Sequence, residues 1–221
     1  MKFRILEEKN FKKFYKNIEG HPVYLVDGNY IRSNLESEFT NFGQHFRFPN
    51  LIPEKEFWID VERESGEINF YLSHLLVEYN EMANGQSYDK AYDKAAQIEK
   101  NQREKKMLRK DDVRVKLFKK LPKSGIKIFI VDGESVRNQY NMDFTEGGHW
   151  LVYNFIPKGE CWLDNDVEPK ERKWILAHEL AEIGMMENGL NYETAHAKAS
   201  KYEQKLRREN EKIINNSEGQ G

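Results

Sequence analysis

The chain contains one structural plan twice. Val23-Tyr24-Leu25-Val26-Asp27-Gly28 returns as Ile128-Phe129-Ile130-Val131-Asp132-Gly133, and Arg32 returns as Arg137. Phe39-Thr40 matches Phe144-Thr145. After a one-residue difference in length, Gly43-Gln44-His45 matches Gly147-Gly148-His149. From there the register runs without a gap. Trp58-Ile59-Asp60 pairs with Trp162-Leu163-Asp164, His74 with His178, Glu78 with Glu182, and Asn84-Gly85 with Asn188-Gly189. An internal repeat restricts the fold more than a motif does, because one supersecondary arrangement must serve both copies.

Each copy reads as mixed α and β. A short apolar strand ends at the Asp-Gly turn, a Gly-rich stretch leads to the histidine, and the Trp-x-Asp strand follows. An apolar helix comes next, roughly residues 66–84 and 168–188, with Asn-Gly as its stop signal. A second, polar helix spans about Tyr88 to Arg109 in one copy and about Tyr192 to Ile214 in the other. Helices joined by so short a turn pack antiparallel. The expected fold class is α+β. Each copy is a small antiparallel sheet on a two-helix hairpin, and the copies are related by a pseudo-twofold axis. The expected divisions are an N-terminal extension (1–20), a first repeat (21–99), a basic helix end and linker (100–123), a second repeat (124–214) and a disordered tail (215–221).

The apolar helix of the second copy, Trp174-Ile175-Leu176-Ala177-His178-Glu179-Leu180-Ala181-Glu182-Ile183, carries ionisable groups among residues that demand burial. His178 and Glu182 are one turn apart on one face, with Glu179 beside them. In the first copy His74 and Glu78 sit likewise inside the apolar segment from Ile68 to Glu78 of the matching helix. Two residues with catalytic or ligand chemistry are confined to the second copy: Glu179 stands where the first has Leu75, and His196 where it has Tyr92. Folding the hairpin about Gly189 brings His196 toward Glu182. His178, Glu182 and His196 can then converge as a His-Glu-His ligand set with a coordination position open for water, and Glu179 would activate that water.

His149 is a candidate fourth ligand or oxyanion stabiliser, carried on a flexible Gly-Gly stretch. Asp164 is either a partner for a histidine N–H or a ligand itself. Arg137 is an ion-pair partner for Asp132 or a substrate contact. His45, Asp60, His74 and Glu78 form the corresponding degenerate set. The competing account for all of these is a metal-free buried polar network that fixes a unique core.

Ile175-Leu176-Ala177-His178-Glu179-Leu180 resembles the metal-binding helix of zincin metallopeptidases of the ImmA/IrrE type. Glu171-Arg172-Lys173-Trp174 stands in the lead-in, and Cys161-Trp162-Leu163-Asp164 in the place of the preceding edge strand. The resemblance spans about thirty residues. It departs at the second ligand, Glu182 instead of histidine, and at the third, His196 instead of glutamate. The whole repeat also resembles uncharacterised proteins of phages and prokaryotes. The resemblance implies a zinc ion and hydrolysis of a protein or peptide substrate in the second repeat. The alternative is a non-enzymatic phage-type structural, anti-defence or regulatory binding protein.

Bulk properties exclude several classes. The net charge of −2 gives no global attraction to polyanions. A single cysteine, Cys161, excludes an intrachain disulfide and a multi-thiolate zinc site and fits a reducing compartment. No apolar run is long enough for a signal peptide or a membrane span, so the expectation is a cytoplasmic protein, monomeric or homodimeric, without a membrane partner. The basic run 100–123 is either a solvated helix end or a weak nucleic-acid contact. With Phe118 as its lone aromatic, base stacking is not expected there.

Overall fold

The computed structural model describes residues 12–36, 39, 42–46, 51–61, 66–105 and 111–218, with side chains to residue 210. The first repeat forms β1 (Lys12–Ile18), β2 (His21–Val26), α1 (Gly28–Asn34), β3 (Gly43–Gln44), β4 (Phe57–Asp60), α2 (Ile68–Ala83) and α3 (Tyr88–Glu104). The second forms β5 (Arg114–Lys120), β6 (Lys127–Val131), α4 (Gly133–Gln139), β7 (Gly147–His149), β8 (Glu160–Asp164), α5 (Arg172–Glu187) and α6 (Tyr192–Glu218). The α+β duplication is therefore present, element for element.

Three details differ from the sequence expectation. Each repeat opens with a strand, β1 or β5, inside the stretches read as an extension and a linker. Both strands are rich in charge and poor in apolar alternation, so their pairing with β2 and β6 is not visible in hydropathy. The sheets, ordered β1-β2-β4-β3 and β5-β6-β8-β7, are mixed rather than antiparallel, because β2–β4 and β6–β8 are parallel. A parallel pair needs a long connection, here the segments carrying α1 with β3 and α4 with β7. Finally, α6 continues to Glu218, through most of the tail read as disordered. Nothing in that stretch breaks a helix before Gly219, and residues 219–221 lie outside the described residues.

The chain divides into two compact units. The first holds the described residues of Met1–Tyr30, Phe39–Asp111 and Glu134–Asp143. The second holds those of Ile31–Glu38, Asp112–Gly133 and Phe144–Gly221. Each unit thus takes most of one repeat and a short segment of the other.

In the first unit Val23, Phe57 and Ile59 of the sheet pack on Ile68, Tyr71, Leu72 and Leu75 of α2. In the second, Ile128, Ile130, Cys161 and Leu163 pack on Ile175, Leu176 and Ile183 of α5. Burying each such aliphatic side chain stabilises by roughly 1.5–3 kcal/mol, which is what anchors the helix carrying His178 to the sheet. Both apolar helices end as their Asn-Gly pairs imply. Gly85 and Gly189 take φ of 87° and 92°, and their N–H groups donate to the Met82 and Met186 carbonyls. The hairpin then returns α3 along α2, and α6 along α5, with residues 92 and 196 opposite the histidine face.

Candidate metal centre

His178, Glu182 and His196 meet in the second unit. His178 Nε2 lies 3.2 Å from His196 Nδ1, which lies 2.9 Å from Glu182 Oε2. The third side, His178 Nε2 to Glu182 Oε2, is 3.5 Å. Zinc held tetrahedrally by nitrogen and oxygen at about 2.0–2.2 Å sets neighbouring ligand atoms about 3.3 Å apart. The triangle has that size, and its donors, two imidazoles and a carboxylate, are those zinc accepts. His178 and Glu182 are buried, while the His196 side chain is 38% exposed, so the triangle reaches solvent on one side.

Behind His178 stands a carboxylate. His178 Nδ1 is 3.1 Å from Glu203 Oε2. Glu203 is held in turn by Arg207, whose Nε donates to Oε1 at 2.8 Å, and Arg207 also pairs with the buried Glu171. A carboxylate on Nδ1 aims Nε2 and its lone pair at the triangle, the arrangement that orients histidine ligands in metal sites.

His149 stands on a more rigid element than expected. It lies in β7, fully buried, and not on a flexible loop. Its Nδ1 accepts the Leu151 N–H at 3.2 Å, so its Nε2 carries the proton and donates to Glu182 Oε1 at 2.9 Å. That tautomer makes it a clamp on Glu182. The clamp occupies one oxygen of Glu182 and leaves Oε2 to the triangle.

Glu179 sits between these groups. Gly147 makes room for it: a Cβ there would lie 3.3 Å from Glu179 Oε1 and 3.1 Å from Ile175 Cγ2. His149, Glu179 and Glu182 form a second close group of potential ligand atoms. Burial pushes the Glu179 carboxyl up to about 7, and the nearby His178 and His149 offset this only in part. Glu182 behaves oppositely. Burial opposes its ionisation, but hydrogen bonds from His149, His178 and His196 prevail and hold it well below the usual carboxylate range. Burial opposes the charged form of His178 as well. Glu182 and Glu203 outweigh this and raise it to about 10, so without a metal the triangle holds a proton. Burial, and then the charge of Glu179, pushes the Cys161 thiol up, so Cys161 offers no thiolate at neutral pH.

The remaining candidates lie elsewhere. Asp164 belongs to neither group of potential ligands. It accepts the Asp166 N–H at 2.9 Å and lies against the Gly133 backbone, a turn-forming role. Arg137 belongs to the first unit, where its fully buried guanidinium holds both oxygens of Glu67. A buried guanidinium requires such a partner.

The first unit carries the same ladder. His45 Nε2 is 2.6 Å from Glu78 Oε1, and His74 Nε2 is 3.3 Å from Glu78 Oε2. His74 Nδ1 meets Glu99 at 2.9 Å, and Arg103 joins Glu99 to Glu67 at 2.7 and 2.8 Å. Asp60 is fully buried in β4. Tyr92 takes the place of His196. Its ring packs edge-on to His74, and its hydroxyl is tied to Asp143. Among the described residues, the first unit has no group of three potential ligand atoms.

The sequence reading missed Glu67, Glu99 and Arg103 and their counterparts Glu171, Glu203 and Arg207. The signal was available, since these pairs are identical residues in the same register as His74 and His178. Arg103 had been counted in the basic run, yet it is buried and its charge is consumed by two glutamates. The chain matches no protein-family model, no curated protein and no solved structure.

Proposed function

We propose that the second unit binds one divalent transition metal, zinc by its ligand chemistry, through His178, Glu182 and His196, and that it is a hydrolase acting on peptide or amide bonds. The single observation that carries the reading is the triangle of two imidazole nitrogens and one carboxylate oxygen, 2.9–3.5 Å on a side, two of its three donors carried by the largely apolar α5. A bound zinc would supply Lewis acidity and an acidified water. The protein's own contributions are separable. Glu203 orients His178, and His149 fixes the free oxygen of Glu182. Glu179, buried and with its pKa raised to about 7, would take a proton from that water.

The peptide or amide target rests on the likeness of the α5 segment to zincins. The test is cleavage of a peptide panel by protein loaded with zinc, stripped with chelator and reloaded. Cleavage lost on stripping and regained on reloading supports the reading. A zinc-loaded protein inert toward the whole panel would leave a metal-binding protein and remove the hydrolase.

One observation favours a second reading. The first unit keeps the histidine, glutamate and arginine ladder without a third ligand, so the ladder by itself is a device of the fold. In that reading both units are rigid binding scaffolds of a non-enzymatic protein, and His196 only adds a hydrogen bond.

A further inference from the structure

Arg32 belongs to the first repeat by sequence and to the second unit by structure. It lies in α1, within the segment Ile31–Glu38 that the first repeat contributes to that unit. Its side chain is buried there, and its Nε is 3.3 Å from Glu146 Oε1. Glu146 immediately precedes β7, and its carbonyl accepts the Asp164 N–H at 3.0 Å. The ion pair with Arg32 therefore holds the root of the strand that ends in the His149 clamp.

Arg32 also lines a cavity of about 10 Å³ with Ser200, Glu203, Gln204 and Arg207 of α6. A space of that volume with polar walls takes one water. Two of these residues lead straight to the ligand triangle. Glu203 is the carboxylate behind His178, and the Ser200 hydroxyl donates to the His196 carbonyl at 3.0 Å. Burial opposes the charge on Arg207, but Glu203, Glu171 and Glu146 prevail, so Glu146 acts on both arginines.

The first unit shows what the fold alone requires. Arg137, the counterpart of Arg32, holds Glu67 there, and its guanidinium lies over the Phe42 ring at 5.6 Å. Phe42, Ala96 and Lys100 stand where the second unit has Glu146, Ser200 and Gln204. A buried arginine is common to both units and belongs to the architecture. The carboxylate, hydroxyl and amide around Arg32 are particular to the unit that carries the triangle.

We propose, on the metal-binding reading above, that Arg32 is a positioning residue of the metal centre. Through Glu146 it steadies the strand bearing His149, and across the cavity it steadies Glu203 behind His178. The site of the second unit is thus completed by a residue of the first repeat.

The experiment is zinc affinity of the full chain by chelator competition, beside the absorption spectrum of the cobalt-substituted protein, which reads ligand geometry. Arg32→Ala weakens zinc binding about 10- to 100-fold and changes the cobalt bands. Arg32→Lys, which keeps the charge, recovers part of the affinity. Glu146→Gln, at a side chain 21% exposed, keeps the fold and weakens binding about tenfold. The same two changes at Arg137 leave affinity and bands as in the wild type. Melting temperatures are recorded alongside, and affinities are compared per folded molecule. Should Arg32→Ala not fold, Arg32→Lys and Glu146→Gln carry the comparison. Wild-type affinity and cobalt bands in the Arg32 and Glu146 variants, with a wild type that binds zinc, overturn the inference and leave the metal reading standing. Equal losses from the Arg137 changes overturn it as well, since destabilisation alone would then account for them. A wild type that binds no zinc removes the metal reading, and this inference with it.

Discussion

The two units share a buried ladder and differ at its mouth. In each, a histidine at the end of the edge strand clamps a glutamate of the apolar helix. The helix histidine is braced by a glutamate of the returning helix, and an arginine ties that glutamate to the residue just before the apolar helix. At the mouth, Leu75 and Tyr92 in the first unit stand where the second has Glu179 and His196. The comparison separates architecture from chemistry. What both units keep holds helices to sheet and satisfies buried charge, and what only the second has completes a triangle of potential ligands and adds a buried carboxylate.

The largest effect is expected from Glu179→Gln. Loss of a general base lowers turnover by about 100- to 10,000-fold, while metal content stays the same. Measured beside it, Leu75→Ala, its counterpart in the first unit, leaves turnover per folded molecule unchanged. Equal losses in the two variants would erase the functional distinction between the units.

Next come the arginines. Arg103→Ala strands Glu67 and Glu99, and Arg207→Ala strands Glu171 and Glu203, at about 3–5 kcal/mol each by chemical denaturation. Similar costs in both units are the signature of shared architecture. A large loss in one unit alone would show that the ladder serves only there.

The acid limb of stability sharpens the first unit. Burial opposes ionisation of Glu67, but Arg137 and Arg103 prevail and hold it at about 2 against an ordinary 4.5. Its contribution, about 3 kcal/mol, is therefore complete above pH 4.5 and is lost as pH falls toward 2. Denaturation of wild type and Glu67→Gln across that window should give curves that differ at neutral pH and converge near pH 2. On the alkaline side, burial opposes protonation of His74, yet Glu78 and Glu99 raise it to about 9. Its stabilisation is complete below 6.5 and lost as pH rises through 9, and an NMR titration of His74 with a midpoint near 6.5 would contradict the geometry.

The smallest effect is a gain. Leu75→Glu with Tyr92→His copies the second mouth into the first unit, whose bracing carboxylate Glu99 is already in place. Weak binding of a second zinc, seen by calorimetry, is the expected outcome. Its absence would mean that the mouth residues alone do not make the site.

The duplication, both helix hairpins and the His178, Glu182, His196 convergence were legible in the sequence because the repeat register and helical periodicity encode them directly. The strands β1 and β5 were not, since exposed lysines mask strand alternation. Nor was the part played by Arg137, whose partner Glu67 lies in the other repeat, beyond the reach of local spacing. His149 was legible as a site residue, but its bond to Glu182 was not. Only the three-dimensional contact of the Leu151 N–H with its Nδ1 points its Nε2 proton at Glu182.

The most direct test is elemental analysis of protein purified without a metal-affinity tag, wild type against His196→Tyr, which gives the second unit the mouth residue of the first. The account predicts near-stoichiometric zinc in the wild type and little in the variant, with both folded. Metal-free wild type, or equal zinc in the two, would contradict it.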